Sequence, residues 1–246
     1  MDLIVTDLTR FSKDDIVCIA GIDVKSKQCI RPLPYLEKAT CKKLKLLPGA
    51  ILEGEFIKPK GVDKPHTEDM NYKGLAFKGP CTSEEFESVL KATAYPSINE
   101  GFDNKVPIGT KVISPADPPS RSIITLNLKP NQIEIVRNAF DPKSLRLNIM
   151  DNDGRKYTYL SITDLGFHNL AVVKQKDPNY TDELNEFIRN QKKVYLRIGL
   201  GRRYKNPTDG RDGFWIQVNG IYTFPEFLTA VRTYDPAEVK KMRKSH

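Results

Sequence analysis

The 246-residue chain is 39% hydrophobic and 28% charged, the composition of a folded globular protein and not of a disordered one. No apolar run approaches the roughly 20 residues a membrane-crossing helix needs, and the opening MDLIVTDLTRF lacks the form of a signal peptide. The formal charge of +8 belongs entirely to residues 121–246, which also hold 14 of the 22 aromatic side chains; such a half can hold polyanions and stack bases, or can simply be a solvated basic surface.

Residues 1–11 read as the first strand of a cytoplasmic protein. IVCIAGID (16–23) and CIRPL (29–33) form a hairpin across a polar turn. Arg31 is flanked there by Ile30 and Pro32, which marks a sheet edge and leaves Arg31 as a surface charge or a ligand contact. Cys18, Cys29, Cys41 and Cys81 match no zinc spacing and include no CxxC pair, so they read as buried or incidental thiols. A Pro-Gly turn at 48–49 leads into a strand to Ile57. His66, Glu68 and Asp69 then lie within four residues of a loop. Adjacent side chains on an extended chain diverge, so a polar turn competes with metal binding or acid–base work.

Thr82 and Glu85 make a capping box, and Phe86, Val89 and Leu90 keep helical spacing, which predicts a helix to about Tyr95. Residues 111–114 offer a last strand of a first unit. PADPPS (115–120) is the linker signal and coincides with the change in charge. Beyond it, 122–128, 132–136, 144–149 and 157–162 read as strands, and 164–169 as a short helical turn. Thr181 caps a helix with Asp182 and Glu183 in its first turn. Residues 224–232 are read as a closing helix and 240–246 as a frayed basic tail.

Residues 194–224 organise the second half. Segments 194–200 and 214–218 alternate as strands, and the loop between them carries Arg202, Arg203, Tyr204, Lys205 and Arg211. Asn219-Gly220 has the form of a two-residue hairpin turn. Period two sends Val194, Leu196, Ile198, Leu200, Phe214, Ile216 and Val218 to a core, and Tyr195, Arg197, Trp215 and Gln217 to the opposite face. That face, beside a basic loop, has the composition of a base-stacking platform. It could instead pack against the first half, with Trp215 as the anchor. The phosphate-loop, dinucleotide, nucleophile-elbow and zinc-protease signatures do not occur.

The segments DIVCIAGID…CIRPLP (15–34) and YLRIGLGRRY…GFWIQVNGIYTFPEF (195–227) resemble the prokaryotic dual OB-containing domain proteins over nearly the whole chain. The resemblance implies two OB-like barrels, a fold that often binds single strands or oligonucleotides, and carries over no catalytic residues. The expectation is therefore a mainly β, β-rich α+β chain: two five-stranded OB-like barrels at 1–114 and 121–246, each with an inserted helix, joined by 115–120. Its leading function is non-enzymatic binding of single-stranded DNA or RNA, without cofactor, metal or membrane. Two alternatives stay open. One is an enzyme or sensor of a small nucleotide between the halves, using Arg31, His66, Glu68 and Asp69 with the basic loop. The other is a protein–protein adaptor.

Overall fold

The computed structural model describes residues 1–11 and 15–240. The first barrel consists of β1 (Asp2–Arg10), β2 (Ile16–Asp23), β3 (Cys29–Leu33), β4 (Ala50–Ile57) and β5 (Asp69–Pro80). Hydrogen-bonded neighbours run β1–β4–β5–β3–β2 and return to β1, so the sheet closes; β3 and β5 are its parallel pair. Closure removes the sheet edges and encloses one face of every strand. Leu3, Val5, Leu8, Ile19, Ile30 and Leu52 fill that interior. A short helix, α1 (Lys38–Lys43), lies between β3 and β4.

The second barrel repeats this plan. Its first strand is broken into β6 (Ile123–Leu128) and β7 (Ile133–Arg137) by a 3-10 turn at Pro130–Gln132. A proline has no N–H to give a ladder, so the break falls there. The remaining strands are β8 (Leu145–Met150), β9 (Lys156–Ile162), β10 (Lys193–Leu200) and β11 (Asp212–Phe224). β7 pairs with β8, β8 with β9, β9 with β11 in parallel, β11 with β10, and β10 with β6. Helices α3 (Leu165–Lys174) and α4 (Tyr180–Arg189) follow the third strand, as α1 does in the first barrel; here α2 denotes the helix Ser83–Ala92 between the barrels.

The capping box forms as read: Glu85 N–H donates to Thr82 Oγ1 at 3.1 Å and Thr82 N–H to the Glu85 carboxylate at 2.8 Å. The helix it starts ends at Ala92 and is not the insert of a barrel. Its Phe86, Val89 and Leu90 instead pack with Ile4, Ile22, Tyr195, Tyr222 and Phe224 between the barrels. The strand β5 had no counterpart in the sequence reading. Gly74 and Gly79 have φ of +63° and +137°, and the β4–β5 register shifts twice, which breaks the period-two signature.

Sheet membership changes ahead of the proline-rich segment. Ala94–Tyr95 pairs with β6 and Val112–Ile113 with β11, so both short strands belong to the second barrel. Residues 115–120 act as a strap, with Ser120 N–H held by Asp103 at 2.5 Å and Ser120 C=O accepting from Thr67 Oγ1 at 2.7 Å. Asn219-Gly220 is no turn. Arg197 pairs with Gly220 and Ile198 with Val218, leaving Asn219 as the extra residue of a bulge within β11. A Cβ at 199 would lie 2.4 Å from the Asn219 side-chain amide, so any larger residue there must displace that amide. The closing helix reduces to one 3-10 turn, Thr229–Val231, because Phe224 ends a strand and Pro225 follows it. Residues 241–246 of the basic tail lie outside the described residues.

The barrels meet where β1 packs against β11 and receives the outward side chains of β10. Val194, Leu196, Ile198 and Leu200 enter the second barrel's core with Phe214, Ile216 and Val218. The opposite side of β10 is covered by the first barrel, which corrects the expectation of an open face. Tyr195 and Arg197 are each 1% exposed. Arg197 Nε donates to Asp7 Oδ2 at 2.9 Å, Nη1 to Thr125 Oγ1 at 2.8 Å, and Nη2 to Cys29 Sγ at 3.2 Å. Tyr195 OH reaches Glu87, and Tyr222 OH donates to Thr6 C=O at 2.5 Å. Trp215 and Gln217 stay half-buried on the outer face.

Removing one member of a buried ion pair strands its partner's charge, so Arg197→Ala should lower unfolding free energy by about 3–5 kcal/mol. Asp7→Leu combined with Arg197→Met should recover most of that loss. Denaturant unfolding of Arg197→Ala, of Asp7→Leu and Arg197→Met singly and of the double variant checks this, and a loss in the double variant equal to the sum of its two single losses would show that the pair is not coupled.

A cavity of about 270 Å³ remains at the joint, bounded by Leu8, Phe86, Phe167, Phe227 and Asp164. Asp164 caps α3 by accepting from Phe167 N–H at 2.9 Å, and burial pushes its carboxyl up to about 7. The native state thus keeps a proton that an unfolded aspartate releases near 3.8. Its contribution to stability is whole below the unfolded value and is lost as pH rises to the folded one. Asp164→Asn keeps a capping acceptor without the titration. The stability of wild type relative to this variant should fall from about pH 4 to about pH 7 and then level. A pH series of denaturant midpoints that shows a constant difference would refute it.

Candidate nucleic-acid interface

The outer face of the second barrel gathers cations around two aromatic rings. Arg146 projects from β8, Tyr159 and Ser161 from β9, and Trp215 and Gln217 from β11, with Lys111 just ahead of the strand that pairs with Trp215. The Arg146 guanidinium lies 5.3 Å from the Tyr159 ring centroid and donates to Ser161 Oγ. Lys111 Nζ lies 5.9 Å from the same centroid and donates to Tyr159 C=O at 2.9 Å. Arg211 stacks 4.8 Å from the Trp215 centroid, and Trp215 Nε1 donates to Tyr204 C=O at 3.0 Å. Burial, followed by the nearby Arg146 and Arg211 charges, holds the Lys111 ammonium below the usual lysine range. Burial is the larger cause, and of the two guanidinium charges Arg211 is itself paired with Asp209.

Tyr159 has φ of +57°, a left-handed conformation that costs a β-strand aromatic energy. It is fixed by four hydrogen bonds. Its N–H donates to Asn148 Oδ1 at 2.9 Å, its hydroxyl donates to Asn138 Oδ1 at 3.0 Å and accepts from Ala139 N–H at 2.6 Å, and its C=O holds Lys111. The connection between the first and second strands (138–144) is thereby pinned beside the ring. It presents Phe140, which is 89% exposed.

The basic loop, here 201–211, borders the other side of this face. Its charges are mostly paired. Arg203 is bidentate on Asp212, Arg211 contacts Asp209, and Arg202 reaches Asp69 at 2.8 Å and the Tyr35 hydroxyl at 2.9 Å. Tyr204 and Lys205 form a two-residue strand against Asp212 and Gly213 and remain exposed. Tyr35 in turn packs 4.6 Å from Phe11, so Arg202 carries the aromatic surface onto the first barrel. Of the sequence-predicted platform, Trp215, Gln217 and the loop therefore share a surface, whereas Tyr195 and Arg197 lie in the joint. Lys111, Arg146, Tyr159 and Phe140 were not singled out from the sequence. Tyr159 carries no readable signal, because its left-handed backbone breaks the alternation of its strand.

The residues of the alternative small-ligand reading do come together, in two sets facing different ways. The parallel register of β3 and β5 sets Arg31 opposite Asp69, and Arg31 Nε donates to Asp69 Oδ1 at 2.5 Å. Arg31 is 5% exposed, which corrects its reading as a surface charge at an edge. His66 packs edge-on against Phe214 at 5.7 Å; burial, then Arg31 and Arg202, lower its pKa to about 3, so the imidazole is neutral. Glu68 is buried as well and accepts from Ser122 N–H, Ser122 Oγ and Ile123 N–H at 2.7–3.0 Å, clamping the start of β6. Among the described residues no cluster of three or more His, Cys, Asp or Glu has the arrangement of a metal site. The four cysteines are free, and no helix among the described residues is long and apolar enough to cross a membrane.

Two closed five-stranded barrels with one ring order, each with a helical insert after its third strand, define a tandem OB-fold protein. The chain belongs to the dual OB-containing domain family, whose model matches residues 3–221. No curated protein matches it.

Asp69→Ala would leave the buried Arg31 guanidinium unpaired and should lower stability by about 3–5 kcal/mol. Arg202→Ala, at the solvent-facing end of the same pair, should cost under about 1 kcal/mol. Thermal and denaturant unfolding of both variants tests the contrast, and equal losses would contradict it.

Proposed function

We propose that this protein binds single-stranded nucleic acid on the outer face of its second barrel. The observation that carries the reading is the crowding of Lys111, Arg146 and Arg211 around Tyr159 and Trp215. In OB folds the face of strands two and three and the loops between strands one and two and between four and five take oligonucleotides. Those parts here are β8 and β9, the Phe140 loop, and the basic loop. The rings give bases a sequence-tolerant stacking surface, and the cations follow the phosphates. Ion pairs such as Arg203–Asp212 do not oppose this, since an exposed pair is weakly held and its arginine can turn to a phosphate. The Phe11–Tyr35 pair, reached through Arg202, extends the track onto the first barrel.

Anisotropy titrations with labelled single-stranded DNA and RNA at two salt concentrations test the proposal. Trp215→Ala and Tyr159→Ala should each weaken binding by about 1–3 kcal/mol. Lys111→Ala and Arg146→Ala should each reduce the log–log salt slope by about 0.7. Absence of binding to either strand type at low salt would end the proposal.

A further inference from the structure

A second polar space lies on the far side of β10, with no lining residue in common with the outer face. It is a cleft of about 510 Å³ walled by both barrels. The β2–β3 turn contributes Lys27, the start of β3 contributes Cys29, the approach to β5 contributes Glu68, and the second barrel contributes Tyr95, Arg121 and Arg197. Three of these side chains are cationic and one is anionic. Glu68 keeps its charge while accepting from three neutral donors, and Arg121 and Arg197 are paired with Asp103 and Asp7, so the cationic donors left to an anion are Lys27 and the unengaged edge of Arg121. Arg121 lies 4.9 Å from the Tyr95 centroid and gives Nη1 to Gly101 C=O and Asp103, while among the described residues its Nε and Nη2 donate to none. Lys27 spends one donor on Val24 C=O at 2.7 Å.

We infer that this inter-barrel cleft binds a small anionic ligand of the nucleoside monophosphate class. Its volume falls in the range of ligand pockets, about 300–1,000 Å³, and junctions between domains are where such pockets concentrate. A heterocyclic ring has the Tyr95–Arg121 stack to lie against, and a phosphate has Lys27 and the remaining Arg121 donors. Arg197 forms the inner wall and cannot move, since its donors hold Asp7, Thr125 and Cys29, and Asp7 balances its charge. Cys29 takes no chemical part: burial pushes its thiol up to about 12. A ligand seated there would touch both barrels and so would add to their joint stability.

Calorimetry of the full chain with the four nucleoside 5′-monophosphates, adenosine and inorganic phosphate tests this. One stoichiometric site is expected for at least one monophosphate, with adenosine and phosphate each weaker by about tenfold or more. Lys27→Glu, at an exposed turn, and Arg121→Ala should each weaken the monophosphate about tenfold or more, while Trp215→Ala leaves it unchanged. Because Arg121 also supports Gly101 and Asp103, Lys27→Glu with an unchanged melting temperature is the deciding variant. Failure of all four monophosphates to bind, equal binding of free phosphate, or loss in Trp215→Ala without loss in Lys27→Glu would overturn the inference. The last outcome would place the nucleotide on the outer face, whose own reading is tested separately by oligonucleotides.

Discussion

The Arg197–Asp7 pair sets the terms for the rest of this molecule. Two charges removed from water at the joint of two barrels lose solvation worth several kcal/mol each, and only close, multiply hydrogen-bonded geometry restores it. Arg197 meets that demand with a carboxylate, a hydroxyl and a thiol drawn from three strands, β1, β6 and β3. The pair therefore fixes the register between barrels more narrowly than apolar packing of Ile4, Ile22, Tyr195 and Phe224 could, because hydrophobic contact is non-directional. Barrels held in one orientation can share a loop, a strap and a cleft.

Period two made most strands legible. Segments 16–23 and 29–33 are found with their boundaries as read, and 194–200 differs by one residue, because each has one enclosed face. The face assignment of β10 and β11 was also sound: Leu196 and Ile216 point inward and Arg197 and Trp215 do not. What alternation cannot encode is what lies against the outward side. Asp7 is 190 residues from Arg197, so an arginine facing the other barrel and one facing water look alike in the sequence. The same limit hid Arg31, whose partner comes from a strand that two left-handed glycines made unreadable. Asn219-Gly220 misled for a local reason: the dipeptide that suits a tight turn also suits a bulge, and only pairing on both sides separates them.

The charge excess of the second half, visible in composition, proved a poor guide to where the charge is free. The loop richest in arginine spends three of them on Asp69, Asp209 and Asp212, whereas Lys111, unremarkable in sequence, has Arg146 and Arg211 as its charged neighbours and Arg146 feels Asp141 only at a distance too long for an ion pair. A cation next to a carboxylate has lower potential energy and less to gain from a phosphate. A cation next to other cations gains more. The distribution of pairing, more than the number of basic residues, thus points to the β8–β9 face.

Glu68 and Asp69 link the two sides of the joint. Glu68 ends the turn before β5 and Asp69 begins the strand, and their side chains hold different partners. Asp69 turns toward Arg31 and Arg202 and so holds the basic loop against the first barrel. Glu68 turns toward Ser122 and Ile123 and so holds the wall of the cleft. One dipeptide at the start of β5 thereby fastens the outer face through one residue and the inner cleft through the next. A displacement of β5 that loosened one would move the other, because residues 68 and 69 flank one planar peptide unit whose Glu68 carbonyl accepts from Arg31 N–H at 2.8 Å, beside the parallel ladder with β3.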